Sequence, residues 1–159
     1  TSDMPVMQEA AKILDQFQIP FEINALSAHR VPEQVMEFAK GAHKRGIRVI
    51  IAGAGGAAHL PGVVAARTPV PVVGVPCRST ISLDGWDSLL SIVQMPPGIP
   101  VATVGVDGGQ NAGILAVQIL AAGDDKLLDE VLKFKENLKS KILKANEELK
   151  SFTFKFRVG

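Results

Sequence analysis

Ile47-Arg48-Val49-Ile50-Ile51-Ala52-Gly53-Ala54-Gly55-Gly56 is the stretch on which the fold turns. Residues 47–52 are nearly all apolar and β-branched, as in a parallel strand buried on both faces. A glycine-rich turn at 53–56 follows, then small residues with helical spacing over 57–67. Working outward, Pro71 to Val75 reads as a second buried strand and Val101 to Val106 as a third. Upstream, Phe21 to Leu26 alternates Phe21, Ile23 and Ala25 with Glu22, Asn24 and Leu26, which predicts an edge strand with one wetter face. Between these runs the period becomes helical. Ser2 or Asp3 can cap a helix with Pro5 in its first turn and Val6, Ala10, Ile13, Leu14 and Phe17 on one face. A second helix runs from Pro32 to Arg45, with Val35, Met36, Ala39 and Ala42 inward and Gly46 just past its end. Trp86 to Val93 reads as a short helix with Trp86 in the core, and further helices cover 111–122 and 125–150. Such alternation of helical period with short apolar runs marks an α/β domain.

The 159 residues suit one domain, an α/β core over 1–122 carrying a C-terminal helix and tail over 123–159. With 47% hydrophobic and 21% charged residues the chain has the composition of a compact soluble protein. Seventeen basic and sixteen acidic residues leave a net charge of +1, and aromatics are 5%, which argues against a nucleic-acid partner. Its apolar runs are broken by Gly and Pro well short of the roughly 20 residues of a membrane span, so no membrane role and a cytoplasmic location are expected. The single cysteine, Cys77, offers no disulfide or metal knuckle and reads as buried and inert.

Two features point beyond a self-sufficient domain. The chain opens at a helix cap, so a strand is expected ahead of Thr1. A helix over 125–150 would span about 39 Å. It carries an apolar stripe of Leu128, Val131, Leu138, Ile142, Ala145 and Leu149, broken by Lys135. That stripe either lies on its own domain or covers a neighbouring subunit. The tail Phe152 to Val158 alternates with period two; it reads as an edge strand or a substitute for the absent first strand, although Lys155 and Arg157 suit no central position.

Gly53 to Ala58 matches the GxGxxA pattern of dinucleotide sites, but the next strand ends Val75-Pro76-Cys77-Arg78, without the acid that would hold a ribose. A tight turn for close packing is favoured over NAD, and backbone amides holding another anion are a third reading. Leu26 to Pro32 lies past the carboxyl end of a strand and before a helix, where open α/β sheets bind ligands. There Ser27, Arg30 and the helix start suit a phosphate, or alternatively make a cap and a surface pair. Ser2 and Asp3 occupy the same kind of position, Asp3 suiting ribose hydroxyls rather than phosphate. His29 can move a proton near neutral pH. His59 faces the same sheet edge, as a site residue or for packing, whereas His43 sits in a solvated run.

Taken together, Thr1-Ser2-Asp3, Ser27-Ala28-His29-Arg30, Gly53 to Gly62 and Asp87 to Pro96 resemble the N5-carboxyaminoimidazole ribonucleotide mutase family, bacterial-type enzymes of purine synthesis. The intact His59-Leu60-Pro61-Gly62 resembles the mutases rather than the relatives that fix free CO2 directly. The resemblance covers residues 1 to about 150 and implies a flavodoxin-like three-layer sandwich around a central parallel sheet, assembled as a homo-octamer. It implies transfer of a carboxylate from N5 to C4 of the imidazole ribonucleotide, with no cofactor or metal. Direct carboxylation, or a non-catalytic nucleotide- or flavin-binding module, is the alternative. By resemblance Ser2, Ser27 and Arg30 would bind the 5′-phosphate and Asp3 the ribose. His29 would shuttle the proton, and Ala54, Gly55, His59 and Leu60 would line the imidazole and CO2 pocket.

Overall fold

In the computed structural model residues 2–158 are described, and they form two compact units, one ending at Leu120 and one beginning at Ala121. The expected strand ahead of Thr1 lies outside the described residues. The first unit is built on β1 (Ile50–Gly55), β2 (Val72–Cys77) and β3 (Ala102–Thr103), parallel in the order β1-β2-β3. Ile50 pairs with Val72 and Gly55 with Cys77, so β1 and β2 finish level; Val73 pairs with Ala102.

Every residue of β2 is buried, because both faces of the sheet are covered. On one face Ile50, Ala52 and Val72 pack with Val35 and Ala39 of α2 (Pro32–Gly41), Ala42 beyond it, and Val64 of α3 (Leu60–Ala65). On the other, Val73, Val75 and Cys77 meet Val6 and Met7 of α1 (Met4–Gln16) and Ala112, Leu115 and Ile119 of α5 (Gly109–Ala121). This is the three-layer sandwich. The inward faces of α1 and α2 are those their spacing predicts: Ala10 and Ile13 are buried in one, Val35 and Ala39 in the other. Gly46, at φ +85, takes the left-handed conformation that ends the turn after α2.

Several expectations are corrected. Gly53 and Gly55 lie in β1, not in a turn. A Cβ on Gly53 would overlap the sulfur of Met7, and one on Gly55 would sit 3.1 Å from the Cys77 carbonyl oxygen, so close approach rather than chain reversal requires them. The reversal comes at Gly56 and Ala58, at φ +61 and +47, and α3 is correspondingly shorter than 57–67. Phe21 to Leu26 forms no strand: among the described residues no backbone hydrogen bond ties it to a ladder, and Glu22 is held by Arg45 at 3.1 Å instead. Trp86 is 64% exposed, not core. It opens α4 (Trp86–Val93), whose inward positions are Ser88 and Ile92, leaving Trp86, Leu90 and Val93 on the outer face.

In the second unit α6 (Asp125–Leu149) starts at Asp124, whose carboxylate accepts from the amides of Lys126 and Leu127 at 3.0 and 3.1 Å. Leu128, Leu138, Ile142 and Leu149 of its stripe are exposed and Val131 is buried. Phe152 to Val158 forms no strand. Arg157 turns its guanidinium onto the carbonyls of Leu149 and Phe152, spending the tail on the end of its own helix. Among the described residues no helix is long and apolar enough to cross a membrane.

The tightest approach in the first unit is at Gly109, where a Cβ would overlap the carbonyl of Val6 in α1. That obstacle is backbone and cannot rotate away. Gly109→Ala is expected to lose about 1–3 kcal/mol, measured by denaturant unfolding, whereas Gly123→Ala, with open space around its Cβ, should leave the midpoint nearly unchanged.

Candidate active site

The carboxyl ends of the strands form one edge, and the candidate residues gather there. β1 runs out at Gly55 into the turn Gly56-Ala57-Ala58, which delivers His59 to the N-terminal flank of α3. Ala58 is buried with positive φ, a conformation that costs an L-residue about 1–2 kcal/mol. Such strain persists where the surroundings hold it. Here α4 holds it: Ser88 Oγ donates to the Gly56 carbonyl at 2.9 Å and Ser91 Oγ to the Ala57 carbonyl.

His29 comes from the loop before α2 and meets His59. Its Nε2 lies 2.8 Å from His59 Nδ1, and the rings cross edge to face at 86° with centroids 4.9 Å apart. One ring donates and the other accepts, so a single proton lies between them. Both histidines are exposed. They are 30 residues apart in the chain, and only the fold joins them.

The same loop carries Ser27 and Arg30. Ser27 does not cap α2; the cap position is Val31, which makes no side-chain cap bond. Ser27 Oγ instead accepts from the Arg30 amide at a long 3.4 Å, and its carbonyl accepts from the Val31 amide at 3.1 Å. Arg30 is exposed, and its guanidinium has no ion-pair partner among the described residues. At α1, Asp3 occupies the cap position, but its carboxylate accepts from the Ser2 hydroxyl at 2.8 Å rather than from the helix. No hydrogen bond joins the Ser2–Asp3 pair to the 27–30 loop among the described residues. Ala54 is buried in β1, and Leu60 packs partly into the core beside Ala54 and Ile92.

Two residues at this edge escaped the sequence reading. Asp107, at φ +55 beyond β3, accepts from the Arg78 amide at 3.0 Å and lies 3.6 Å from its guanidinium Nε. The hydroxyl of Ser79 is buried beside Gly55 and has no hydrogen-bond partner among the described residues. An unmet buried hydroxyl costs about 1–3 kcal/mol, and a ligand can supply its partner. Asp107-Gly108-Gly109 after a strand was the available signal for the first; for Ser79 no sequence signal existed. Among the described residues no cluster of three His, Cys, Asp or Glu is arranged to hold a metal.

Cys77 closes β2 beneath this edge. Burial pushes its thiol from 9.0 up to about 12, and the negative charges of Asp3 and Asp107 add to the rise. This agrees with its reading as an inert thiol.

A parallel sheet covered by helices on both faces, with its loops gathered at the carboxyl edge, defines a protein of the flavodoxin-like class. Comparison with known proteins narrows it. The AIR carboxylase family model matches residues 1–141, and the chain belongs to that family. N5-carboxyaminoimidazole ribonucleotide mutase of Pyrococcus abyssi is 58% identical over 138 residues, covering 87% of this chain and 79% of the relative. The mutase of Synechocystis is 52% identical over 154 residues, 97% of this chain and 87% of the relative. The crystal structure of Treponema denticola PurE superposes with a TM-score of 0.80 at 28% identity, over 94% of this chain and 93% of that one.

The raised thiol pKa has a consequence for stability. Between pH 9 and about 12 the folded Cys77 keeps its proton while the unfolded chain loses it, so the folded state binds more protons and stability falls as pH rises through that window. Denaturant midpoints taken from pH 8 to 10.5 should fall more steeply in the wild type than in Cys77→Ala.

Proposed function

We propose that the protein is an N5-carboxyaminoimidazole ribonucleotide mutase of purine biosynthesis. The observation that carries the reading is the His29–His59 contact at 2.8 Å, on the sheet edge where this fold binds ligands, in a chain 52% or more identical to proteins named as that mutase.

The chemistry asks for little else. The N5–carboxylate bond breaks and releases CO2 inside the site. The electron-rich C4 attacks it, forming the new carbon–carbon bond. C4 then gives up its proton to restore aromaticity, and N5 gains one, so the reaction is an isomerisation with one proton moved. A single acid–base group at the ring suffices if CO2 is kept from escaping. His29 is assigned that role, with His59 fixing its ring. Arg30 and Ser27 supply charge-assisted and hydroxyl contacts to the 5′-phosphate, with Ser2. Asp3 accepts from the ribose hydroxyls. Ala54, Gly55 and Leu60 line the wall against imidazole and CO2, where the absence of a side chain at Gly55 lets the pocket close tightly. Direct carboxylation by free CO2 is not favoured, because His59-Leu60-Pro61-Gly62 is intact and relatives named as mutases align over most of the chain.

We further assign the protein to the cytoplasm and to a homo-oligomer larger than a dimer, with an octamer expected. The support is apolar surface on both units: Trp86, Leu90 and Val93 on the outer face of α4, and Leu138 and Ile142 on α6.

Turnover should be seen with N5-carboxyaminoimidazole ribonucleotide and be far slower with aminoimidazole ribonucleotide plus bicarbonate; the reverse preference would reject the mutase. His29→Asn should lower turnover by about 10²–10⁴-fold while calorimetric binding of the carboxylated product survives. Near-wild-type turnover in that variant would move the proton to another group.

Light scattering should give a mass of several subunits for the wild type and a smaller one for Leu138→Glu with Ile142→Glu. A wild-type monomer would reject the assembly.

A further inference from the structure

The segment Asp87 to Pro96 marks the family, yet none of its side chains enters the chemistry above. Two of its hydroxyls nonetheless reach the site. Ser88 is fully buried on the inward face of α4, with Oγ 2.9 Å from the Gly56 carbonyl and 3.3 Å from that of Cys77. A hydroxyl has one proton to donate, and the shorter contact to Gly56 is the better bond. Nearly one helical turn on, half-buried Ser91 donates to the carbonyl of Ala57. Two successive carbonyls of one turn are therefore held from a single helix.

That turn needs holding. Gly56 and Ala58 both have positive φ, and Ala58 has no glycine's freedom to take it. Within the turn itself the Ala58 amide donates to the Gly55 carbonyl at 3.2 Å, which leaves the Gly56 and Ala57 carbonyls to α4. His59 follows immediately. It flanks α3 at the cap position, and Pro61 in the first turn has no amide to offer. Its ring makes no cap bond there and points Nδ1 to His29 instead. The direction of the His59 ring is thus set by the turn, and the turn by α4.

We propose that Ser88 and Ser91 are positioning residues for the proton transfer: their hydroxyls latch the 56–58 turn and thereby hold His59 against His29. This rests on the mutase reading for its kinetic consequence, but its geometric half can be tested without turnover. If the hydroxyls only satisfied buried carbonyls, their loss would lower stability and leave the histidine pair untouched.

Ser91 is the better probe, because it is half-buried and its truncation leaves the core intact; Ser88→Ala is the second variant. Steady-state kinetics with N5-carboxyaminoimidazole ribonucleotide should show Ser91→Ala lowering kcat about tenfold, within the 10²-fold that a 1 Å misplacement can cost, with KM changed less than about twofold. Ser91→Thr, which keeps the hydroxyl, should restore kcat. In a His59→Gln background Ser91→Ala should cost nothing further, since the two act through one contact. Imidazole ¹⁵N spectra of the full chain should show the His29 and His59 signals shifted in Ser91→Ala and native in Ser91→Thr. An unchanged kcat, an equal loss in the His59→Gln background, or unshifted imidazole signals would each overturn the proposal. If the wild type does not turn over the N5-carbamate, the mutase reading fails, and the ¹⁵N comparison alone then decides the latch: shifted signals support it, unshifted signals overturn it.

Discussion

β2 is buried from Val72 to Cys77, pairs on both edges and is packed on both faces, and the rest of the first unit follows from that enclosure. A strand so enclosed must satisfy its amides and carbonyls within the ladder. Its neighbours are parallel to it, so helices must cross over both faces. α2 and α3 cover one and α1 and α5 the other. The strands β1 and β2 then finish level at Gly55 and Cys77, and the loops that leave them share one edge with the 27–30 loop and with Asp107. The site is a by-product of covering a two-sided sheet.

Small residues decide how close the layers come. Gly74 lies where a Cβ would overlap Ile92 and Val101, and Gly113 where it would crowd Ile13 and Ala10. A side chain at Gly74 would push α4 off the sheet, and one at Gly113 would push α5 away from α1. Part of the stability so gained is spent at the site. Ala58 stands in a left-handed conformation, and the buried Ser79 hydroxyl has no partner among the described residues. Both lie at the carboxyl edge of the sheet, beside the end of β1.

The edge is electrically divided. Asp3 and Asp107 stand near Cys77, and their charges together with burial keep the thiol protonated and out of the chemistry. The unpaired guanidinium of Arg30 lies on the 27–30 loop beside the histidine pair. Positive charge therefore stands on the 27–30 loop and negative charge near the end of β2.

Much of this was legible in residue order. Buried strands over 71–75 and near 50, the inward faces of α1 and α2, the α4 limits and the left-handed Gly46 all follow from local pattern, because burial period and backbone handedness are properties of a few consecutive residues. His29, Arg30 and His59 were legible as candidates because each stands just past a strand or before a helix. What pattern could not decide is anything that depends on a partner far along the chain. Alternation over 21–26 and 152–158 is compatible with a ladder, but among the described residues no neighbouring strand takes up either segment. The aromatic ring of Trp86 suits a core, but α4 turns Ser88 and Ile92 inward and leaves it out. Composition and period alone determined an α/β domain built on buried parallel strands. Tertiary structure decided that His29 meets His59 and that Ser88 and Ser91 hold the turn between them, because a hydrogen bond across 30 residues depends on how layers pack and not on any local preference.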